Sequence, residues 1–209
     1  MAKPDAVLFD ADGVIQLAPD YLHLRLLEAI GRTPEERETC MAAIFAAEAP
    51  ALTGGASFEV GLERVLRELG AKCDVGAVLE LWRDIRTDQA IMAMIWRLRA
   101  TGVYCALASN QELNRARHMS QALGYGEMFD GEFYSCELGH MKPSAMFFEE
   151  IMRRSALVPQ RTLFIDDRLD NVEAARKCGF LAEPFVLWQI DDGASALGAL
   201  LRSHGLELD

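Results

Sequence analysis

Residues 6–14 of the chain read AVLFDADGV, and this stretch decides the fold. Its first four residues are apolar, the acid Asp10 ends the run, and a second acid, Asp12, follows two positions later. An unbroken apolar run is typical of a strand that is buried on both faces, as in a parallel sheet. The stretch therefore predicts a buried strand whose carboxyl end carries two carboxylates.

Further apolar runs of the same character follow in the second half of the chain. They lie at residues 103–108, 162–165 and 185–188, and a weaker one lies at 132–135. Helical patterns follow them at residues 111–123, 144–155, 171–178 and 194–201. Strands that alternate with helices predict an α/β fold with a Rossmann-like parallel sheet and helices on both of its faces.

The first half of the chain does not show this alternation. Between residues 13 and 100 we find no convincing strand, only helical patterns at 20–30, 34–47, 57–69, 74–86 and 88–99. Ser57 and Asp74 are plausible N-caps. A single crossover helix needs far fewer residues than this gap. We therefore expect an all-helical cap subdomain at residues 16–86, inserted into an α/β core domain formed by residues 1–15 and 87–209.

The composition argues against several classes of protein. Asp and Glu number 32 and Lys and Arg 21, so the net charge of −11 disfavours nucleic acid as a partner. No apolar stretch reaches the roughly 18 residues of a membrane span, and the N-terminal residues leave no room for a signal-peptide core. Five scattered cysteines argue against disulfides or zinc. We expect a cytoplasmic globular protein without a membrane partner, and the sequence leaves its oligomeric state open.

Polar side chains stand at or near the predicted carboxyl ends of the strands. They are, in chain order, Asp10, Asp12, Ser109, Asn110, Lys142, Asp166 and Asp167. In a parallel sheet these strand ends share one edge, where ligands bind. Several carboxylates in one crevice repel each other unless protons or a cation neutralise them, and a set of oxygen ligands favours Mg²⁺. The pattern therefore predicts a magnesium site at this edge.

Each of these residues also has a purely structural interpretation. Ser109, or the pair Asp166 and Asp167, would simply cap the helix that follows. Lys142 alone would be a solvated surface lysine. Their conjunction, in this chain order and at these strand ends, favours a functional site.

The conjunction closely resembles that of the haloacid dehalogenase-like (HAD) superfamily. The matching segments are residues 10–14 (DADGV), Ser109 with Asn110, Lys142 with Pro143, and residues 164–171 (FIDDRLDN). They span nearly the whole chain in the family's order, and the helical insert resembles the cap that one subgroup carries directly after the first motif. The last motif is most similar to that of small sugar-phosphate phosphatases. The resemblance implies a phosphatase-like hydrolase.

The resemblance also implies a role for each matching residue. Asp10 would be the nucleophile that forms an aspartyl-phosphate. Asp12, with a raised pKa, would protonate the leaving oxygen and then deprotonate water. Ser109 and Lys142 would be catalytic, and both would bind the phosphoryl group together with Asn110.

A magnesium cofactor follows from the same resemblance. The carboxylates of Asp10 and Asp167 and the carbonyl of Asp12 would hold Mg²⁺. Asn171 stands where some relatives carry a further acid, so Asp166 or water would complete the set. We expect Asp166 and Asn171 to support the metal ligands from behind.

These assignments imply a Mg²⁺-dependent phosphatase that acts on a small phosphomonoester, a sugar phosphate or a similar metabolite. Two alternatives stay open: a phosphomutase, and a non-catalytic phospho-acceptor or binding module. Dehalogenating relatives carry a bulky aromatic residue at the position of Asp12, which argues against dehalogenation. In the insert, we interpret His23 and Arg25 as part of an exposed helix face.

Overall fold

The computed structural model describes residues 3–207; residues 1–2 and 208–209, which the predicted core domain includes, lie outside the described residues. The described residues form seven strands: β1 (Ala6–Phe9), β2 (Gln16–Leu17), β3 (Arg86–Thr87), β4 (Tyr104–Ser109), β5 (Gly131–Tyr134), β6 (Thr162–Asp166) and β7 (Leu181–Pro184). They also form eleven α-helices: α1 (Leu22–Ile30), α2 (Arg37–Glu48), α3 (Phe58–Glu68), α4 (Val75–Trp82), α5 (Gln89–Ala100), α6 (Leu113–Arg117), α7 (Tyr125–Met128), α8 (Ser135–Leu138), α9 (Ala145–Ser155), α10 (Leu169–Lys177) and α11 (Gly193–Ser203). None of these helices is both long and apolar enough to cross a membrane.

Five of the strands form one parallel sheet in the order β5-β4-β1-β6-β7. In the middle of this sheet, Phe9 of β1 lies opposite Leu107 of β4 and Ile165 of β6. Because all five strands run in the same direction, their carboxyl ends share one edge. The predicted parallel sheet is confirmed, and the segments after β1, β4 and β6 meet where ligands bind in such folds.

Helices cover both faces of this sheet. Successive side chains of a strand point to opposite faces. Accordingly, Val7 and Phe9 pack with side chains of α5 and α11, whereas Leu8 packs with side chains of α9 and α10. All three β1 residues are fully buried. The result is the α/β arrangement that the sequence predicts.

Helices α1–α4 pack on one another around a hydrophobic cluster of their own. Its buried members lie between residues 22 and 82, and the fully buried ones include Leu26, Ile44, Leu62 and Val78. The predicted N-caps Ser57 and Asp74 are confirmed, since their side chains accept hydrogen bonds from the backbone in the first turns of α3 and α4.

The strands β2 and β3, which precede α1 and follow α4 in the chain, form a short antiparallel ribbon, with Gln16 opposite Thr87 and Leu17 opposite Arg86. The expectation that residues 13–100 contain no strand is therefore wrong. Two residues are too few to show the alternation by which a strand is recognised. The same ribbon explains why the helix expected over 74–86 already ends at Trp82.

The strand expected at residues 185–188 is also wrong, because β7 lies just before it. As an edge strand β7 tolerates polar and proline residues such as Glu183 and Pro184. Phe185 and Leu187 are buried, but Leu187 donates its backbone N–H to the carbonyl oxygen of Gly13 at 2.8 Å. The apolar segment thus bonds to the loop after β1, at the carboxyl edge of the sheet.

Candidate active site

Asp10 directly follows β1, and its carboxylate is almost completely buried. The oxygen Oδ1 accepts a hydrogen bond from the backbone N–H of Ala11 at 2.7 Å and lies 2.9 Å from Nζ of Lys142. The same ammonium group donates to Oδ2 of Asp166 at 2.6 Å. The side chain of Lys142 is only 1% exposed, so a buried cation joins the ends of β1 and β6.

The charges of this buried group shift one another's pKa values. Burial raises the pKa of Asp10, Lys142 lowers it and Asp166 raises it further, and the pKa stays above its ordinary value. Burial alone would lower the pKa of Lys142, but the two carboxylates outweigh burial and raise it. Lys142 therefore remains a cation beside the Asp10 carboxylate.

Asp166 is fully buried at the end of β6 and makes three polar contacts. Besides Lys142, its carboxylate accepts hydrogen bonds from the Asn171 side-chain amide and from the backbone N–H of Arg168, both at 2.9 Å. The other side-chain atom of Asn171, Oδ1, is buried and lacks a partner within the described residues. Asp166 and Asn171 thus hold one another in place, and their predicted position behind the metal ligands stays a prediction.

Three acids converge at this edge of the sheet. One carboxylate oxygen from each of Asp10, Asp166 and Asp167 lies within 4.8 Å of the other two. Burial and the neighbouring Asp166 raise the pKa of Asp167 to about 6. Three carboxylates face one lysine, and the orphaned oxygen of Asn171 adds a further acceptor nearby. This donor set fits a hard divalent cation.

Ser109 lies at the end of β4, and its hydroxyl oxygen accepts a hydrogen bond from the side-chain amide of Gln111 at 3.2 Å. The helix predicted from residue 111 begins instead at Leu113, and residues 118–122 continue it as a π-helix. Its N-cap is Glu112, whose carboxylate accepts from the backbone N–H groups of Asn114 and Arg115. The interpretation of Ser109 as the cap of this helix is therefore wrong.

The side chain of Asn110 bonds to the backbone of Lys142 in both directions. Its amide donates to the carbonyl oxygen of Lys142 at 3.0 Å, and its carbonyl oxygen accepts from the Lys142 N–H at 2.9 Å. Asn110 therefore connects the end of β4 to the loop that carries the buried lysine. A direct contact between Asn110 and substrate stays a prediction, and the backbone N–H is the group of Asn110 that suits it.

The surroundings of Asp12 and its pKa differ most from what the sequence predicts. Both of its carboxylate oxygens pair with the guanidinium of Arg115, at 2.6 and 2.8 Å, and they also accept from Gln111 at 2.7 Å and Gln16 at 3.0 Å. Burial alone would raise the pKa of Asp12, but these contacts, led by Arg115, outweigh it and lower the pKa. The predicted raised pKa is wrong, because a cation outside the matching motifs reaches this carboxylate.

Some features of the sequence point to these neighbours of Asp12. Gln16 is a polar residue inside the apolar run VIQL, and it is completely buried. Its amide donates to Asp12 while its carbonyl oxygen accepts from the hydroxyl of Tyr125 at 2.8 Å. Gln111 and Arg115 are four residues apart and bond to each other at 3.1 Å. An i, i+4 polar pair directly after Ser109 was a detectable sign.

Gly13 allows the loop after β1 to approach its neighbours closely. Its φ of +84° is rarely adopted by other residues, and a Cβ there would lie 2.5 Å from the ring of Trp188 and 2.8 Å from the carboxylate of Asp167. Glycine is thus required both by the backbone conformation and by the space. Trp188, expected in a strand, instead lies beside the acids.

A cavity of about 410 Å³ opens beside this group of residues. Asp12, Arg115 and Asp167 line it on the side of the sheet, and side chains of α1, α2 and α4 line it on the other side. His23 is among them and is half-buried, so its assignment to an exposed face is wrong, whereas Arg25 is exposed as expected.

Comparison with protein families gives a match over most of the chain. Residues 4–179 match the model of a family described as haloacid dehalogenase-like hydrolase. The matched region contains all the residues that converge at the edge of the sheet.

Two curated proteins align with parts of the chain. A sesquiterpene phosphatase of Aspergillus oryzae is 27% identical over 97 residues, which are 46% of this chain and 50% of that protein. A D-ribitol-5-phosphate phosphatase of Bacteroides thetaiotaomicron is 35% identical over 51 residues, which are 24% of this chain and 25% of that protein. The chain thus spans half or less of the length of these curated relatives.

Solved structures show the same fold over nearly the whole chain. A HAD family enzyme of Bacteroides thetaiotaomicron, solved in complex with magnesium and inorganic phosphate, superposes with a TM-score of 0.73. The two chains are 19% identical, and the superposition covers 88% of this chain and 94% of the other.

Proposed function

The chain belongs to the haloacid dehalogenase-like hydrolases, and from this premise we propose that it hydrolyses a small phosphomonoester through an aspartyl-phosphate on Asp10. The observation that carries the proposal is the buried contact of 2.9 Å between the Asp10 carboxylate and Lys142, with Asp12 lying at the same sheet edge. The acid at position 12 favours phosphate-ester chemistry over dehalogenation, because the leaving alkoxide needs a proton and a halide does not. The phosphatase names of the two curated relatives support the same reaction.

We further propose that residues 1–15 and 87–209 form the catalytic core domain and that residues 16–86 form a helical cap. The separate hydrophobic cluster of residues 22–82 supports this division, as does the ribbon of β2 and β3. A cap over the cavity would exclude bulk water during the reaction.

The cofactor that fits this site best is Mg²⁺. We assign its ligands to the carboxylates of Asp10 and Asp167 and the carbonyl of Asp12, with Asp166 and Asn171 behind them. When bound, Mg²⁺ supplies positive charge that offsets the acids and the phosphoryl oxygens.

The first chemical step forms the covalent intermediate. Within the described residues, both hydrogen bonds to the Asp10 carboxylate fall on Oδ1, so we assign the attack on phosphorus to Oδ2. The bond between phosphorus and the ester oxygen breaks, and the alcohol leaves with a proton from Asp12. Ser109 donates its hydroxyl proton to a phosphoryl oxygen as a hydrogen bond, and Lys142 offsets the charge there.

The second step releases phosphate. Water attacks phosphorus, the carboxylate of Asp12 takes its proton, and the bond from phosphorus to Asp10 breaks. The Arg115 contact keeps Asp12 ionised before substrate binds, which suits this second step. For the first step Asp12 must carry a proton, so we infer that its contact with Arg115 loosens when the substrate phosphate enters.

The test of this function is release of phosphate from 4-nitrophenyl phosphate with Mg²⁺ and with EDTA. We expect turnover that requires Mg²⁺ and falls at least about a thousandfold in Asp10→Asn. Asp5→Asn is the matched control, because Asp5 is exposed and lies before β1, away from the site. Full activity in Asp10→Asn would contradict the proposal. Transfer of phosphate within a sugar bisphosphate without its release would favour the phosphomutase alternative.

A further inference from the structure

The cavity beside Asp12 has two chemically different sides. At the sheet edge its lining is charged, with Asp12, Arg115 and Asp167. The remaining wall is mainly apolar and comprises Leu17, Ala18, Leu22, Phe45, Trp82 and Trp188. If the phosphoryl group occupies the charged end, the organic group of the substrate lies against this apolar wall.

Two aromatic side chains of this wall face solvent. Phe45 of α2 is 48% exposed, and Trp188, which follows β7, is 57% exposed. Exposed aromatic rings at a concave site are typical of ligand-binding pockets. One ring comes from the proposed cap and the other from the proposed core, so an apolar group in the cavity would contact both.

Both rings are held in place by neighbouring groups. The ring of Phe45 packs edge-on against Trp82, with centroids 5.7 Å apart. The ring of Trp188 lies directly over Gly13, whose carbonyl oxygen accepts from the adjacent Leu187 N–H at 2.8 Å. The apolar wall is therefore built before a ligand arrives.

Two polar groups of this wall, the indole N–H of Trp82 and Nδ1 of His23, already bond to other protein groups. The indole N–H of Trp82 donates to Glu48 at 3.0 Å, so Trp82 presents an apolar ring to the cavity. Nδ1 of His23 lies 2.8 Å from Nη2 of Arg37. Burial and Arg37 both lower the pKa of His23, so its imidazole is neutral near pH 7. The remaining polar lining residue here, Asp20, is exposed at the rim.

From this arrangement we infer that the substrate is the phosphate ester of an apolar alcohol, alkyl or arylalkyl, and that Phe45 and Trp188 determine this specificity. The inference rests on the proposed phosphatase function and replaces the sugar phosphate expected from sequence. A sugar would bring several hydroxyl groups against a wall that offers them few partners, and buried hydroxyls without partners oppose binding. An apolar group would instead remove the two exposed rings from water.

The test compares 2-phenylethyl phosphate with ribose 5-phosphate, with 4-nitrophenyl phosphate as the measure of phosphatase activity. We expect kcat/KM to be at least about a hundredfold higher for 2-phenylethyl phosphate than for ribose 5-phosphate. Equal values, or a preference for ribose 5-phosphate, would overturn the inference and leave the phosphatase function standing. Absence of turnover with all three esters would overturn both.

Two variants test whether the wall causes the preference. We expect Trp188→Ala and Phe45→Ala each to lower the ratio of kcat/KM for 2-phenylethyl phosphate to kcat/KM for ribose 5-phosphate about tenfold. Trp96→Ala is the matched control, since Trp96 is a similarly exposed tryptophan, 60% accessible, that does not line this cavity. A preference that both wall variants retain would overturn the assignment of specificity to Phe45 and Trp188.

Discussion

The guanidinium of Arg115 lies against both oxygens of the Asp12 carboxylate, with Nη1 2.6 Å from Oδ2 and Nη2 2.8 Å from Oδ1. Paired planar groups of this kind set orientation as well as charge. The carboxylate proposed to move protons is therefore ionised and fixed before substrate binds. Its position depends on a residue from α6, about a hundred positions further along the chain.

Arg115→Gln is expected to change the pH dependence of turnover. Loss of the cation raises the pKa of Asp12, because Arg115 is the strongest of the groups that lower it. With 4-nitrophenyl phosphate the leaving group needs little protonation, so Asp12 serves mainly as the base that activates water. The acidic limb of the kcat profile should therefore move to higher pH.

Arg117→Gln is the control for this profile, since Arg117 lies on the same helix and is exposed. Kinetics between pH 4 and pH 9 compare the three proteins. An acidic limb that stays in place in Arg115→Gln would show that the contact with Asp12 does not set the pKa used in catalysis.

Lys142→Met is expected to destabilise the fold as well as abolish activity. The substitution leaves the carboxylates of Asp10 and Asp166 buried without their shared cation, and such a loss costs about 3–5 kcal/mol. Adding Asp166→Asn should restore part of the lost stability, because one of the two buried negative charges is then removed. Urea denaturation without Mg²⁺ measures the free energy of unfolding, with exposed Lys177→Met as control. A Lys142→Met protein as stable as the control would contradict the ion-pair assignment.

Glu48 is expected to make stability depend on pH. Burial raises its pKa from 4.5 to about 7, against the opposing effects of the Trp82 N–H and Arg115. The folded protein binds the proton of the Glu48 carboxyl group more tightly than the unfolded chain does. The stability that this proton contributes is therefore fully present below pH 4.5 and is lost as the pH rises to about 7. Glu48→Gln keeps an acceptor for Trp82 without the titration.

The difference in free energy of unfolding between Glu48→Gln and the wild type should therefore grow in favour of the variant as the pH rises from 4.5 to 8, by up to about 3 kcal/mol. Denaturation at both pH values measures the difference, and Glu63→Gln on an exposed position of α3 should show no such gain. A difference that is the same at both pH values would show that Glu48 does not carry a raised pKa.

The parallel sheet and the convergence of its acids could be predicted from sequence because both depend on local patterns. Four strands of the sheet appear in the sequence as apolar runs, of which the run at β5 is the weakest. Parallel strands bring the residues after their carboxyl ends to one edge. Asp10, Lys142 and Asp166 duly meet within hydrogen-bonding distance. The edge strand β7 could not be predicted, because Glu183 and Pro184 make up half of its four residues, LAEP, and leave no apolar run.

The surroundings of Asp12 could not be predicted in the same way, because they depend on distant packing. Whether Arg115 faces solvent or Asp12 is decided by the start of α6, which Glu112 caps two residues later than the helical pattern suggests. The apolar cavity wall likewise joins Phe45 to Trp188, which are separated by most of the chain. Sequence patterns locate the charged centre of the site, and tertiary packing sets its pKa values and the lining of its cavity.

The most direct test of the central claim is to trap the phosphorylated enzyme. Wild-type protein with Mg²⁺ and 4-nitrophenyl phosphate is quenched in acid within the first turnovers, digested and analysed by mass spectrometry. We predict one added phosphoryl group on the peptide that contains Asp10 and none in Asp10→Asn. Mg²⁺-dependent hydrolysis with no phosphorylated peptide, or with phosphate on a residue other than Asp10, would contradict the assignment of Asp10 as the nucleophile.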